Sequence, residues 1–314
     1  MSQTSRQWMV THEWMVKPMQ QTEWIKGEGL LIWLAEVFSS LGTGLYLVSM
    51  FIGNWWGAAF GWAIIVLIKL PLHLIYLGKP VRFWRALPPF TGAWRTSWIA
   101  RGFFFSTLFA GIGFLQLITS YLMLYQNGEM AGTTLTTVAG LDLILKILGG
   151  FTAIMTAIYC GFMMSFCKSV PFWNTGLLPI VIMNAGIADG LALLIGVGMW
   201  GGGVDIIMLE SVTRILLLVN IILIGTYLLN STYQSDTAKL SSKELLVGKN
   251  ALLFWVGVVI LGIAVPLIIS LLGYRTGGVS HSLQIIAIVC HTMGAFALKY
   301  CILNVGIYKP LLAK

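Results

Sequence analysis

Glu36, Lys69, His73 and Tyr76 are ionisable or hydrogen-bonding side chains set inside long apolar segments. Charges in such places are costly and mark a helix-bundle interior or a water-filled route. Glu36 lies about 10 Å in from one end of its segment, and Lys69 about 12 Å in from the matching end of the next, at 1.5 Å per residue. On sequential antiparallel helices the two are at similar depth and can pair. Lys69, His73 and Tyr76 follow i, i+4, i+7 spacing, which puts them on one helix face. A donor-rich face opposite a carboxylate suits a quinone, whose carbonyls need hydrogen-bond donors and whose redox chemistry needs a proton source or sink. The competing reading is an ion pair that locks the two helices, with a solvated histidine above it.

A second polar group falls in later segments: Asn184 and Asp189, then Glu210 and Arg214 at i, i+4, then His291. Counted from the segment ends, Asp189, Glu210, Arg214 and His291 reach overlapping depths and can meet. The functional reading is a proton route running inward from one membrane face; the competing one is a buried Glu–Arg–Asp network that fixes helix packing. Asp142 and Lys146 form another i, i+4 pair, read as structural. Lys299 and Asn304 approach the other face and can join either the Glu36 group or the headgroup zone.

The elements that must position these residues follow from composition. The chain is 58% hydrophobic and 10% charged, with a mean hydropathy of +0.87, against about 25% charged in ordinary soluble domains. Apolar stretches recur near 29–53, 55–77, 102–125, 141–165, 175–199, 205–229, 251–273 and 281–307. Each is long enough to cross about 30 Å of hydrocarbon. They lack the alternation of a barrel strand, so they are helices with internally satisfied backbones. The expected fold is an all-α integral membrane protein with eight transmembrane helices.

Residues 1–28 read as a polar, interfacial arm in which Trp8-Met9-Val10 is echoed by Trp14-Met15-Val16. The arm has no apolar core followed by a small-residue cleavage site, so no cleaved signal is expected and the first span is its own insertion signal. The four cysteines (Cys160, Cys167, Cys290, Cys301) form no C-x-x-C pair, which argues against a disulfide framework or an iron–sulfur cluster held by this protein. Ser39-Ser40-Leu-Gly-Thr-Gly44 is a run of small residues that permits close helix approach. Trp55, Trp56, Trp98, Trp173 and Trp200 read as an interfacial belt, and Pro71, Pro179 and Pro266 each interrupt a span.

Eight spans put both termini on one face. That face also carries Lys79, Arg82, Arg85, Arg95 and Arg101, Lys168 and a 230–250 loop, while the opposite loops hold little charge. The positive-inside rule places the basic face in the cytoplasm. A basic, aromatic 78–101 loop is equally what a docking surface for an acidic partner requires.

The end of the second span, Tyr76-Leu-Gly-Lys-Pro-Val-Arg-Phe-Trp-Arg85, resembles the H-L-G-x-P-x-R-F-W-R signature of the NrfD/polysulfide reductase membrane-subunit family. Gly78, Pro80, Arg82 and Arg85 match it, and Tyr76 stands where the family has histidine, so His73 one turn earlier or Tyr76 itself would handle the proton. The resemblance implies two four-helix bundles in the inner (cytoplasmic) membrane of a prokaryote, 29–165 with the quinone site and 166–314, the half that holds the proton-route candidates. It implies a quinone- or menaquinone-reactive anchor without haem or cluster of its own, inactive by itself. Its partners would be a ferredoxin-like iron–sulfur subunit and a catalytic subunit, a molybdopterin enzyme or a multihaem cytochrome, besides membrane lipid and no nucleic acid. Glu36, Lys69, His73, Tyr76 and Arg82 are then the quinone candidates, with Arg82, Arg85 and Arg95 at the partner. In many family members the matching loop lies outside the cytoplasm, against the positive-inside assignment. The alternatives are a haem-b subunit, which needs His73 and His291 as paired axial ligands, and a secondary transporter using the same charged residues.

Overall fold

The computed structural model describes Met15 and residues 17–76, 78–87, 92–125, 132–201 and 203–311; the Trp8 and Trp14 repeat falls outside this range apart from Met15. Eight of its helices are long and apolar enough to cross a membrane. These are α1 (Gly29–Ile52), α2 (Trp55–Tyr76), α4 (Trp98–Tyr125), α5 (Gly132–Ser165), α6 (Leu177–Met199), α7 (Ile206–Gln234), α9 (Leu253–Arg275) and α10 (His281–Asn304). The short α3 (Gly92–Thr96) and α8 (Asp236–Leu246) lie between spans. The 230–250 segment, read as a loop, thus carries a helix. Ser235 caps it by accepting the Ala238 N–H at 3.2 Å, and Asp236 and Lys243 stand at the ends that the helix dipole favours.

The core is built on α1 and α6, which cross each other; α2 and α5 also pack on α1, and α5, α7 and α10 on α6. Lipid gives no hydrophobic drive between helices, so their association depends on close fit. At the crossing the backbones nearly touch: a Cβ on Gly44 would sit 1.9 Å from the Gly186 carbonyl oxygen, and one on Gly190 would sit 2.1 Å from the carbonyl carbon of Gly44. The small-residue run of α1 is therefore a packing surface. Gly262 of α9 and Gly294 of α10 meet in the same way, at 2.1 Å.

Two spans contain π-helical stretches, Ile64–Lys69 in α2 and Leu253–Ala264 in α9. Each ends just before a proline, Pro71 or Pro266. Proline lacks an N–H and its ring presses on the carbonyl four residues back; the wider i→i+5 turn, in which Leu70 N–H bonds Ile65 and Val265 N–H bonds Ile260, relieves both problems. Pro179 does not interrupt its span, because it sits in the first turn of α6, where no N–H is needed.

On the basic face the two ends of the described residues are tied together. Strand β1 (Met19–Gln20) pairs antiparallel with β2 (Ile307–Tyr308), and Gln21 N–H donates to Gly306 at 2.8 Å. Trp24 packs on Trp173, with ring centroids 5.0 Å apart. Trp173 is fully buried and donates to the Ile302 carbonyl at 2.7 Å, so it belongs to the core and not to an interfacial belt.

Tyr308 OH donates to the Glu23 carboxylate at 3.0 Å. Glu23 is held below its ordinary value of 4.5, chiefly by its own backbone N–H and further by Thr22 and Tyr308. Tyr308 is pushed up to about 12, first by burial and then by Glu23. A depressed acid contributes above its ordinary value and loses that contribution as pH falls. A raised phenol contributes below its ordinary 10.0 and loses that as pH climbs toward about 12. The tie should therefore hold between roughly pH 5 and 10 and loosen outside that window. Hydrogen exchange of the Gln21 amide against pH measures this. Tyr308→Phe should abolish the alkaline limb; an unchanged alkaline limb would count against the assignment.

Candidate functional site

Within α2, the π turn delivers Lys69 to the interior, where it is fully buried. Its ammonium donates to Ser106 Oγ of α4 at 2.5 Å, and lies 4.9 Å from the ring centre of Tyr159 on α5. Glu36 of α1, also buried, instead accepts the thiol hydrogen bond of Cys160 on α5. The expected Glu36–Lys69 ion pair is therefore not made: none of the ion pairs among the described residues includes either group. The reason is tertiary, since Tyr159 and Cys160 of α5 and Ser106 of α4 take up the two side chains.

His73 follows Lys69 by one turn on the same face and is buried between Phe103, stacked at 6.4 Å, and Tyr159, edge-on at 6.1 Å. Both its ring nitrogens are buried with no hydrogen-bond partner among the described residues. A buried imidazole normally has its nitrogens satisfied, and this ring stands apart from that rule. Tyr76 is half-buried one turn further on. Arg82 and Arg85 are exposed on a 3₁₀ turn, Pro80–Ala86, and Arg95 is exposed on α3. Phe83 of that turn contacts Phe103, the ring stacked on His73. The basic surface is thus one aromatic layer from the buried histidine, and Arg82 itself points to the outside.

The later polar residues form two groups, not one. Asp189 of α6 is buried and accepts from Ser40 of α1 at 2.8 Å and from Lys299 of α10 at 3.3 Å. His291 Nε2 stands 3.1 Å from Asp189 Oδ1, within ion-pair distance though off the axis of a good hydrogen bond. His291 Nδ1 lies 3.0 Å from the Gly262 carbonyl oxygen, which can only accept. Nδ1 is therefore the donor in that contact. Lys299, read as joining the Glu36 group or the headgroups, completes this cluster. It sits two turns beyond His291 on the same helix, a spacing from which its role was legible.

Glu210 accepts from Gln284 at 2.9 Å, and Arg214 donates to the hydroxyl and carbonyl of Ser270 at 3.1 and 3.0 Å and lies 5.0 Å from the Tyr274 ring centre. No Glu210–Arg214 or Arg214–Asp189 pair is among the described ion pairs. A cavity of about 40 Å³ joins Glu210 to His291, past Thr213, Ser270 and Gln284; this is room for a water or two. Arg214 does not line it. Asn184 turns to Asn220 at 2.7 Å, and Asn304 to Asn250 at 2.7 Å.

The paired-histidine alternative draws on His73 and His291, which sit in different surroundings. Their neighbours are on different helices, and both nitrogens of His291 are directed at oxygen atoms. Among the described residues no cluster of three or more His, Cys, Asp or Glu side chains is placed to hold a metal ion. Larger, almost wholly apolar grooves of about 620 and 910 Å³ run along the lipid-facing sides of the α1–α6 contact.

Comparisons with known proteins agree with this architecture. The protein is 29% identical over 170 residues to the C chain of polysulfide reductase from Wolinella succinogenes, a match that takes in 52% of this sequence and 53% of that one. The match therefore spans about half the length of that relative. It is 21% identical over 262 residues to the protein NrfD homolog of Haemophilus influenzae, taking in 76% of this sequence and 78% of that one. The family model described as polysulphide reductase, NrfD, matches residues 52–310, and the chain is a multi-pass membrane protein of that family.

Proposed function

We propose that this protein is the membrane subunit of a respiratory oxidoreductase complex and exchanges electrons between a quinone and a docked iron–sulfur protein. The observation that carries this reading is His73, buried among aromatic rings with both nitrogens unpartnered among the described residues. Lys69 lies one turn away, and Glu36 is held by Cys160 beside Tyr159, over which Lys69 lies. Oxidation of one quinol releases two electrons and two protons. His73 and Tyr76 supply hydrogen bonds to the ring oxygens, Lys69 supplies positive charge to an oxygen that becomes anionic, and Glu36 takes the two protons in turn, passing each on before it accepts the next. Electrons leave toward the basic loop, where exposed Arg82, Arg85 and Arg95 offer an acidic iron–sulfur protein its docking charge. A catalytic subunit, a molybdopterin enzyme or a multihaem cytochrome, would stand beyond it.

Glu210, the small cavity, His291 and Asp189 supply the elements of a proton route through α6, α7 and α10, coupling the redox step to the face opposite the basic loop. Arg214, tied to Ser270, acts on it only as a fixed positive charge. Menaquinone and ubiquinone present the same carbonyl pair, and a prokaryotic inner membrane supplies either.

The test is quinol-analogue binding by fluorescence quenching to the purified protein and to Glu36→Gln and His73→Ala. Binding in the wild type with at least a tenfold loss in each variant, about 1.4 kcal/mol, is the expected result. Equal binding by all three would move the site elsewhere and reduce both side chains to packing roles.

A further inference from the structure

A second polar line crosses the membrane through the four N-terminal spans, and the quinone reading uses only its first member. On α1, Glu36, Ser39, Thr43, Tyr46 and Ser49 recur three or four residues apart, so they share a face, and all five are buried. From Glu36 to Ser49 the line climbs about 20 Å. Thr156 of α5 flanks it: Ser39 Oγ donates to the Thr156 carbonyl at 3.0 Å, and Thr43 Oγ1 to the Ser39 carbonyl at 2.5 Å. Two hydroxyls along it, Thr156 Oγ1 and Ser49 Oγ, are fully buried and have no hydrogen-bond partner among the described residues.

The far end opens into a cavity of about 260 Å³, lined by Ser49 together with Asn54, Gln116, Ser120, Asp142 and Lys146. It lies at the opposite end of the spans from His73. Its walls are organised around one carboxylate. Tyr46 donates to Gln116 at 3.0 Å, Gln116 to Ser120 at 2.6 Å, and Ser120 and Thr119 to Asp142 Oδ1 at 2.7 and 2.8 Å, while Lys146 holds Oδ2 at 2.7 Å. This chain of bonds leads to Asp142, and the Gln116 amide in the middle is a poor proton relay. The space beside it is not: several waters fit, at about 30 Å³ each, and Ser49 is one of the residues that line it.

We propose that this cavity and the α1 line form a water-filled proton route that joins Glu36 to the membrane face opposite the basic loop. Its ligand is water carrying a proton, and Asp142 with Lys146 is its gatepost. The route shares no residue with the Glu210–His291–Asp189 path, and it rests on the quinone reading for its proton source. Each quinol oxidised gives two electrons to the iron–sulfur partner and two protons, which leave by way of Glu36 toward Ser49; the reverse reaction draws them inward.

The test uses oriented membrane vesicles holding the full complex, with Ser49→Cys and a charged methanethiosulfonate reagent. Wild type serves as the control for the four native cysteines. Modification of S49C from the face opposite the basic loop is expected, followed by at least a tenfold fall in quinol-driven proton appearance on that face. Proton transfer by a positioned group carries about 10²–10⁴ in rate. Quinol-analogue binding should change less than twofold, and Ser49→Thr should keep proton transfer where Ser49→Ala slows it. S49C that never reacts shows a dry cavity and overturns the route while leaving the quinone reading intact. S49C that reacts without slowing proton appearance overturns it as well. Ready modification of S49C in a complex whose wild type neither binds nor oxidises quinol would overturn the quinone reading, and the route with it.

Discussion

A Lys69→Met protein should unfold at a higher temperature than the wild type while losing quinol-analogue binding at least tenfold. Lys69 is fully buried, and the protein offers its ammonium a hydroxyl and an aromatic face but none of the described ion pairs. A buried charge so partnered costs several kcal/mol of desolvation. Methionine fills nearly the same volume without that cost, so the replacement should stabilise the fold. A side chain that weakens the fold and is nonetheless present is expected where function requires it. Thermal unfolding and fluorescence quenching on the same detergent sample read both quantities. A lower melting temperature with binding retained would make Lys69 a structural anchor and remove it from the site.

Gly44→Val should prevent the protein from reaching its folded state. The added Cβ would lie 1.9 Å from the Gly186 carbonyl oxygen, and because the obstacle is backbone, no rotamer change can relieve it. Overpacking costs about 1–3 kcal/mol where side chains can shift, and this site allows less. The α1–α6 crossing also brings Ser40 to Asp189, so spreading it strips a buried carboxylate of a donor. Gly225→Ala on α7 is the matched control. Its Cβ meets nothing within 4 Å, and a surface change of this kind stays within about 0.5 kcal/mol. Yield of monodisperse protein from size exclusion separates the two. Equal yields would mean that α1 and α6 do not cross here.

The eight spans are legible because length and hydropathy are local properties of the sequence, and the closeness of α1 to its neighbours is legible in Ser39 to Gly44. Depth along a helix is also readable, which is why Glu36 with Lys69, and Asp189 with His291, fall at matching levels. Azimuth is not. Which neighbour a side chain meets depends on how helices are turned against each other, and so Cys160 takes Glu36, Ser106 takes Lys69, and Ser270 takes Arg214. Trp173 reads as interfacial because it follows a span end, yet the N-terminal segment folds over it. Tyr46, Thr119 and Gln116 carry no local signal, because uncharged polar residues are common in spans, and only their convergence on Asp142 sets them apart.

The π turn ahead of Lys69 decides which changes of length this span tolerates. A π turn is an α-helix with one residue too many, held open here by the Leu70 N–H bonding Ile65, where an ordinary ladder would use Val66. Deleting a residue between Trp55 and Ile65 would let the ladder close, leaving a slightly shorter span with Lys69, His73 and Tyr76 still in mutual register. Deleting one between Lys69 and His73 would instead swing the histidine about 100° around the axis. A single deletion is therefore absorbed on one side of Lys69 and not on the other, and the bulge buffers the chemistry against that loss of length.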